Sequence, residues 1–201
     1  MTNEEMSIRT KKALATALKK TMEKKTLSKI TVSELVQECD VNRKTFYYHF
    51  QDIYGLLKWM LEEEAIEVVK NFDLVVNTEE AIRFVMEYVE ENQHIINCAY
   101  DSMGHEEMKR FLYTDISGVL KGAIEIAVER NQIVVPDEFI DFLTKFFAEA
   151  CAGMLIEWVK NRLTMDKEVI VQNILLIFKV SMPEILKAKA AENQHPPLKN
   201  E

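Results

Sequence analysis

The sequence predicts an all-α fold of about nine helices, and three observations carry that expectation. Only 5 Gly and 4 Pro occur in 201 residues, two of the prolines within the last six, and so few chain breakers favour long helices over a sandwich or barrel. Apolar residues recur three and four apart along nearly the whole chain, with no strand-like alternation, no repeat and no low-complexity block. Apolar residues also make up 48% of the chain, enough for a packed core and too many for general disorder.

In chain order, Ala13, Leu14, Ala17, Leu18 and Met22 mark one face of a first helix from about Ser7 to Lys25, and Thr26-Leu27-Ser28-Lys29 breaks it. Thr31-Val32-Ser33-Glu34 is a capping box: the Thr31 hydroxyl accepts from the amide three residues on, and Glu34 reaches back to the Thr31 amide. A short second helix follows on Val32, Leu35 and Val36 and ends near Cys39-Asp40. Val41 then precedes Asn42, a favourable N-cap for a third helix, Arg43 to Phe50. At about 100° per residue Phe46 and Phe50 lie on one side and must face a core. Lys44 and Tyr48 point the opposite way, with Arg43 and Tyr47 on one edge and Thr45 and His49 on the other. Such an outer surface suits phosphates and base edges.

From Asp52 the helices lengthen. Ile53, Leu56, Leu57, Met60 and Leu61 mark a fourth, to about Phe72. Thr78, with Glu79 and Glu80 after it, caps a fifth; a sixth ends around Ser102-Met103-Gly104; a seventh runs from His105 to about Arg130. Pro136 opens an eighth, with Asp137 and Glu138 at its positive dipole end. The eighth has a stripe of Phe139, Phe142, Leu143, Phe146, Phe147, Ala150, Cys151, Met154, Leu155 and Trp158. Asp166 caps a ninth, to about Ala190, with Ile170, Ile174, Phe178, Met182 and Ile185 among its apolar residues. Two consecutive helices this apolar bury more than one face, as a homodimer interface or as central core helices of a monomer. The tail, 191–201 with Pro196-Pro197, is expected to be disordered.

The net charge is −8, but residues 1–50 hold ten Lys and Arg against six Asp and Glu, a formal +4, leaving −12 for the rest. That asymmetry describes an acidic body with a basic end. Cys39, Cys98 and Cys151 lack metal-ligand spacing and cannot form a closed disulfide set, which reads as free thiols in a reducing cytoplasm. No uninterrupted apolar run nears the roughly 18 residues of a membrane span, and Met1 to Thr10 has no signal core. There is no Gly-rich phosphate loop, HExxH, CxxC pair or Gly-x-Ser-x-Gly, and His49, His94, His105 and His195 are scattered. Neither catalytic residues, nor a metal, nor a cofactor are expected.

Ile30-Thr31-Val32-Ser33-Glu34-Leu35 followed by Val41-Asn42-Arg43-Lys44-Thr45-Phe46-Tyr47-Tyr48-His49-Phe50 closely resembles the helix-turn-helix of TetR/AcrR-family transcriptional regulators. The likeness covers about residues 8–61; beyond it the chain resembles the family in helix count and in Gly153 and Trp158 on a long penultimate helix. With Asp52, Tyr54, Leu56-Leu57 and Trp59, it is similar to a subgroup labelled regulators of dihydroxyacetone kinase operons. The resemblance implies a helix-turn-helix domain over 1–51, a helical effector-binding and dimerisation domain over 52–190, and a homodimer on an inverted-repeat operator in double-stranded DNA, acting as repressor or activator. It implies that Arg43 and Lys44 reach base edges and that Thr31, Thr45, Tyr47 and His49 hold phosphates. Tyr48 would touch a base or thymine methyl, and Asn42 completes the DNA-facing set. Family members often place a phosphate-gripping Lys just after this helix; here Gln51, Asp52 and Ile53 stand there.

Trp59, Phe84, Tyr88, His94, Tyr100, Met103 and Phe111, with Asn97, Met108 and Tyr113 nearby, supply the apolar walls and polar anchors of a candidate pocket for a small-molecule or protein effector; the same stripe also suits plain core. Phe147, Cys151, Met154, Trp158, Ile174 and Phe178 are the candidate dimer contacts. The alternative function is a helical protein–protein adaptor whose helix-turn-helix no longer binds DNA.

Overall fold

The computed structural model describes residues 2–194. Among these the chain forms eight helices and no strand. α1 (Asn3–Met22) starts from Thr2, whose hydroxyl accepts from the Glu5 amide while Glu5 reaches back to the Thr2 amide. Its buried face is Leu14, Ala15, Ala17, Leu18 and Met22; Ala13, expected inside, is exposed. A 3-10 turn, Leu27–Lys29, places Leu27 in the core. α2 (Val32–Glu38) and α3 (Arg43–His49) follow. α4 (Ile53–Leu61) is capped by Asp52, whose carboxylate accepts from the Gly55 amide at 2.8 Å. It continues through a π-helical turn, Glu62–Ile66, into Glu67–Lys70.

α5 is Thr78–Glu91. Thr78 is its first residue rather than its cap, and its hydroxyl donates to the Leu74 carbonyl. α6 (Gln93–Arg130) joins the sixth and seventh helices expected from the sequence, and the backbone leaves helical geometry at Gly104, with φ 78° and ψ 176°. A positive φ of that kind is open to glycine and strained for other residues, which is why the break falls there. α7 (Asp137–Lys160) starts after Pro136, which occupies the N-cap position. α8 (Lys167–Gln194) is capped by Asp166, which accepts from the Glu168 amide at 2.8 Å. It outruns the expected end at Ala190; the rest of the tail expected to be disordered lies outside the described residues.

By packing, the chain forms two units: residues up to Val68 together with Tyr88–Phe111, and Val69–Glu87 together with Leu112 onward. In the first unit α1 packs on α2 and α4, and α2 on α3, around Leu14, Leu18, Leu35, Phe46, Leu56 and Leu57, all without solvent exposure. In the second, Ile124, Val135, Ile140, Leu143, Phe147, Leu186 and Ala190 form one buried cluster. Arg83 of α5 binds Glu168 through two bonds of 2.7 Å and also Glu79. Those bonds hold the Glu168 carboxyl down at about 2.

Among the described residues one helical stretch, Lys167–Glu192, is long and apolar enough to cross a membrane by length and composition alone, with 22% of that window buried. A search for an uninterrupted apolar run misses it because Lys179 and Glu184 interrupt it.

Candidate nucleic-acid interface

α2 and α3 owe their positions to their caps and to two aromatic rings. The Thr31 amide donates to Glu34 Oε2 at 3.0 Å and Thr31 Oγ1 accepts from the Glu34 amide at 3.3 Å. Lys25 pairs with Glu34 and Lys20 with Glu38, tying the end of α1 to α2; those two cations of the basic end are thereby neutralised within the protein. The turn between the helices passes through Asp40 at φ 52°, a left-handed conformation that Asp tolerates better than most residues. The Val41 amide then donates to the Val36 carbonyl at 3.0 Å. Asn42 Oδ1 caps α3, accepting from the Thr45 amide at 2.9 Å and from the Thr45 hydroxyl at 3.2 Å.

Phe46 and Phe50 face inward with ring centroids 5.8 Å apart, and Phe50 lies 5.8 Å from Trp59 of α4. Their burial turns Arg43, Lys44 and Tyr48 outward. All three are exposed, Tyr48 at 82%. Among the described residues Arg43 and Lys44 have no hydrogen-bonding or ionic partner of their own. Tyr47 is exposed while its ring meets that of Phe46 edge-on at 5.5 Å. His49 is half-buried beside Tyr48. Burial, then the Lys11 charge, lower its pKa from the ordinary 6.5, which favours the neutral imidazole over the cation.

Thr31 is exposed at the start of α2. Asn42 and Thr45 satisfy each other, so their polar atoms are partly committed to the cap. Asp52 likewise serves as the α4 cap, which accounts for an acid at that position. Lys58, a turn later, pairs with Glu62 at 3.6 Å. Lys11 of α1 sits over the Trp59 ring at 5.4 Å, a cation–π contact with no sequence signal, because the partners are far apart in the chain.

The pocket candidates separate. Trp59 belongs to the joint with Phe50 and Lys11, Phe84 meets Phe72 at a tilt in the second unit, Tyr88 hydrogen-bonds Glu64, and His94 is exposed. Tyr100 is half-buried. Met103 and Phe111 do meet: with Tyr54, Ser102, Glu107 and Arg110 they line an open cleft of about 460 Å³. Ser102 Oγ and, on the same helix, Asn97 Oδ1 are buried without a hydrogen-bond partner among the described residues. Ser102 was missed by a search for aromatics and methionines; the Gly104 break two residues on was its signal.

Of the dimer candidates, Phe147 and Trp158 are used within the chain's own core. Phe147 lies 4.9 Å from Phe178, and Trp158 Nε1 donates to the Met165 carbonyl at 3.0 Å. Cys151 and Ile174 are half-buried and Met154 is exposed. Alongside Met154, the large exposed apolar residues of α7 and α8 are Phe142 and Phe146, then Val169, Leu176, Ile177 and Val180. Periodicity marked both helices as apolar without saying which edge stays outside.

Two family models match the chain. One, described as bacterial regulatory proteins, tetR family, covers residues 14–60, and one described as transcriptional regulator C-terminal region covers residues 76–179. The HTH-type dhaKLM operon transcriptional activator DhaS of Lactococcus lactis subsp. lactis (strain IL1403) is 31% identical over 91 residues, 45% of this chain and 49% of that protein. The chain thus matches about half the length of this curated relative. Among solved structures, the dihydroxyacetone kinase operon activator DhaS aligns over 91% of this chain and 99% of its own, at 21% identity and a TM-score of 0.67, a likeness of fold. The reduced form of E. coli NemR aligns over 84% and 97%, at 14% identity and a TM-score of 0.48. With a helix-turn-helix at its N-terminus and family models matching both parts, the chain belongs to the TetR family of bacterial DNA-binding transcriptional regulators.

Proposed function

We propose that this regulator acts in the cytoplasm as a homodimer on a two-fold operator, each copy placing α3 in a major groove, and that an effector bound in the helical body over 52–190 controls it. In this reading Arg43 and Lys44 read base edges, Arg to guanine being the commonest specific contact. Tyr48 meets a base or thymine methyl, and Thr31, Thr45, Tyr47 and His49 hold phosphates while Asn42 keeps the helix start in register. The two copies of α3 must lie about 34–36 Å apart, or a multiple of that.

One observation carries the proposal: the burial of Phe46 and Phe50 leaves Arg43, Lys44 and Tyr48 exposed on one short helix capped by Asn42. Pairing through α7 and α8 accounts for the exposure of Phe142, Phe146, Leu176, Ile177 and Val180, since apolar side chains left in water gain from burial against a second copy. It also accounts for the long apolar stretch of α8 over Lys167–Glu192, of which only 22% is buried. The cleft bounded by Tyr54, Met103 and Phe111 is the proposed effector site; its mostly apolar walls suit a small molecule with few polar groups. The effector would favour one spacing of the reading heads and shift the population towards it. The Lactococcus relative is named as an activator of the dhaKLM operon, which favours activation over repression here.

Selection of bound sites from random DNA tests the reading. An inverted repeat should emerge, and Arg43→Ala with Lys44→Ala should abolish its preference over unrelated DNA. Wild-type binding should also fall steeply between about 50 and 200 mM salt as counterions are released. A double variant that footprints the selected site as well as the wild type does would leave only the adaptor alternative.

A further inference from the structure

The buried residues Leu57, Leu61 and Ala65 recur every four positions along α4 and its continuation. Four residues of an α-helix overshoot a full turn by about 40°, so two such steps would carry Ala65 about 80° away from Leu57. The π turn over Glu62–Ile66 advances each residue less and keeps these three on one buried side. Such turns are rare and often sit at functional sites.

This turn presents Glu64, whose Oε2 atom accepts from two elements at once. The Tyr88 hydroxyl of α5 donates to it at 2.9 Å, and Lys19 Nζ of α1 donates to the same oxygen. Lys19 follows Leu18, which is fully buried, on a helix that packs on α2, which in turn packs on α3, so its backbone moves with the reading head. Tyr88 lies outside the head, and its main chain accepts from Asn92 Nδ2 at 2.8 Å. Burial, with the Glu64 charge beside it, raises the Tyr88 phenol well above the usual range, so it remains a donor at any physiological pH.

We propose that Tyr88, acting through Glu64 on Lys19, is a positioning residue for DNA recognition: it sets the angle at which α1, and α3 with it, is held on α4. The Tyr88 bond orients the carboxylate; the oriented carboxylate fixes Lys19; Lys19 fixes the azimuth of the head. The inference rests on the paired-operator reading, because such an angle matters only when two heads must match a set separation.

The test uses full-length wild type, Y88F, E64Q and the double variant. Each is titrated with the operator selected by the wild type and with versions lengthened or shortened by one base pair between the half-sites; melting is followed in parallel. Y88F keeps the ring and its packing. It should lose about 3–10-fold on the selected operator, the worth of one hydrogen bond. It should lose less on one altered spacing, so that discrimination between spacings shrinks, and adding Y88F to E64Q should cost nothing more, since both act through one oxygen. If Y88F ranks the spacings as the wild type does while only its melting point falls, or if the two losses multiply, Tyr88 is packing alone and the proposal is overturned. A wild type that selects no sequence is a separate failure, visible in its own arm, and it removes the DNA reading and this inference together.

Discussion

Replacing Asn42 separates the two duties placed on the start of α3. Its Oδ1 accepts from the Thr45 amide at 2.9 Å and the Thr45 hydroxyl at 3.2 Å, and its side chain is exposed, so substitution opens no cavity. Asn42→Ala therefore loses the cap and little else, at about 1 kcal/mol. In a chain of this length that lowers the melting temperature by about 2–4 °C. The first turn of α3, which carries Arg43 and Lys44, frays by up to the same free energy, and operator affinity should fall up to about 5-fold. Asn42→Ser keeps an acceptor at the cap and should behave as wild type. Asn42→Asp also keeps it, with a favourable charge at the helix N-terminus, and should melt at or above the wild type. Next to phosphates that same charge repels, so Asn42→Asp should bind operator most weakly of the set. Circular-dichroism melts and fluorescence anisotropy on labelled operator read the two properties separately. If Asn42→Ala melts as the wild type does yet loses DNA binding, Asn42 is a DNA contact and not a cap. If Asn42→Asp binds as tightly as wild type, no phosphate lies near the start of α3 and the docking geometry is wrong.

Two further outcomes bear on other parts of the molecule. Leu176→Glu, at a position 62% exposed on α8, should leave the fold of one copy intact and convert a dimer to a monomer in sedimentation; an unchanged sedimentation coefficient would place any self-contact elsewhere. His49 has a folded pKa below its ordinary 6.5, first from burial and then from Lys11. The unfolded chain therefore binds more protons between the two values, so the contribution of His49 to stability is complete above the unfolded value and is lost as the pH falls from there through the lower folded value. An imidazole titration by NMR should show a midpoint below the ordinary value, moving up in Lys11→Met; a midpoint at or above it would contradict the burial of the ring.

The amino-acid order by itself determined the local structure of the reading head. The Thr31–Glu34 capping box, the Asn42 cap and the inward Phe46 and Phe50 are legible because each links residues three or four apart, and a helix brings such neighbours together whatever surrounds it. The same locality made the Gly104 break and the Asp166 cap visible. Other features joined residues distant in the chain and had no local signature. Periodicity showed that α7 and α8 are apolar on more than one side, but only packing decided that Phe147 and Trp158 go inward while Phe142, Phe146 and Leu176 stay out. The π turn in α4, the meeting of Lys19 and Tyr88 on one oxygen of Glu64, and the cleft at Tyr54, Ser102 and Phe111 likewise came from the tertiary structure. Short-range hydrogen bonding is encoded by spacing, whereas the choice among several apolar edges depends on which neighbours fill the remaining volume, and that is settled only when the whole core is packed.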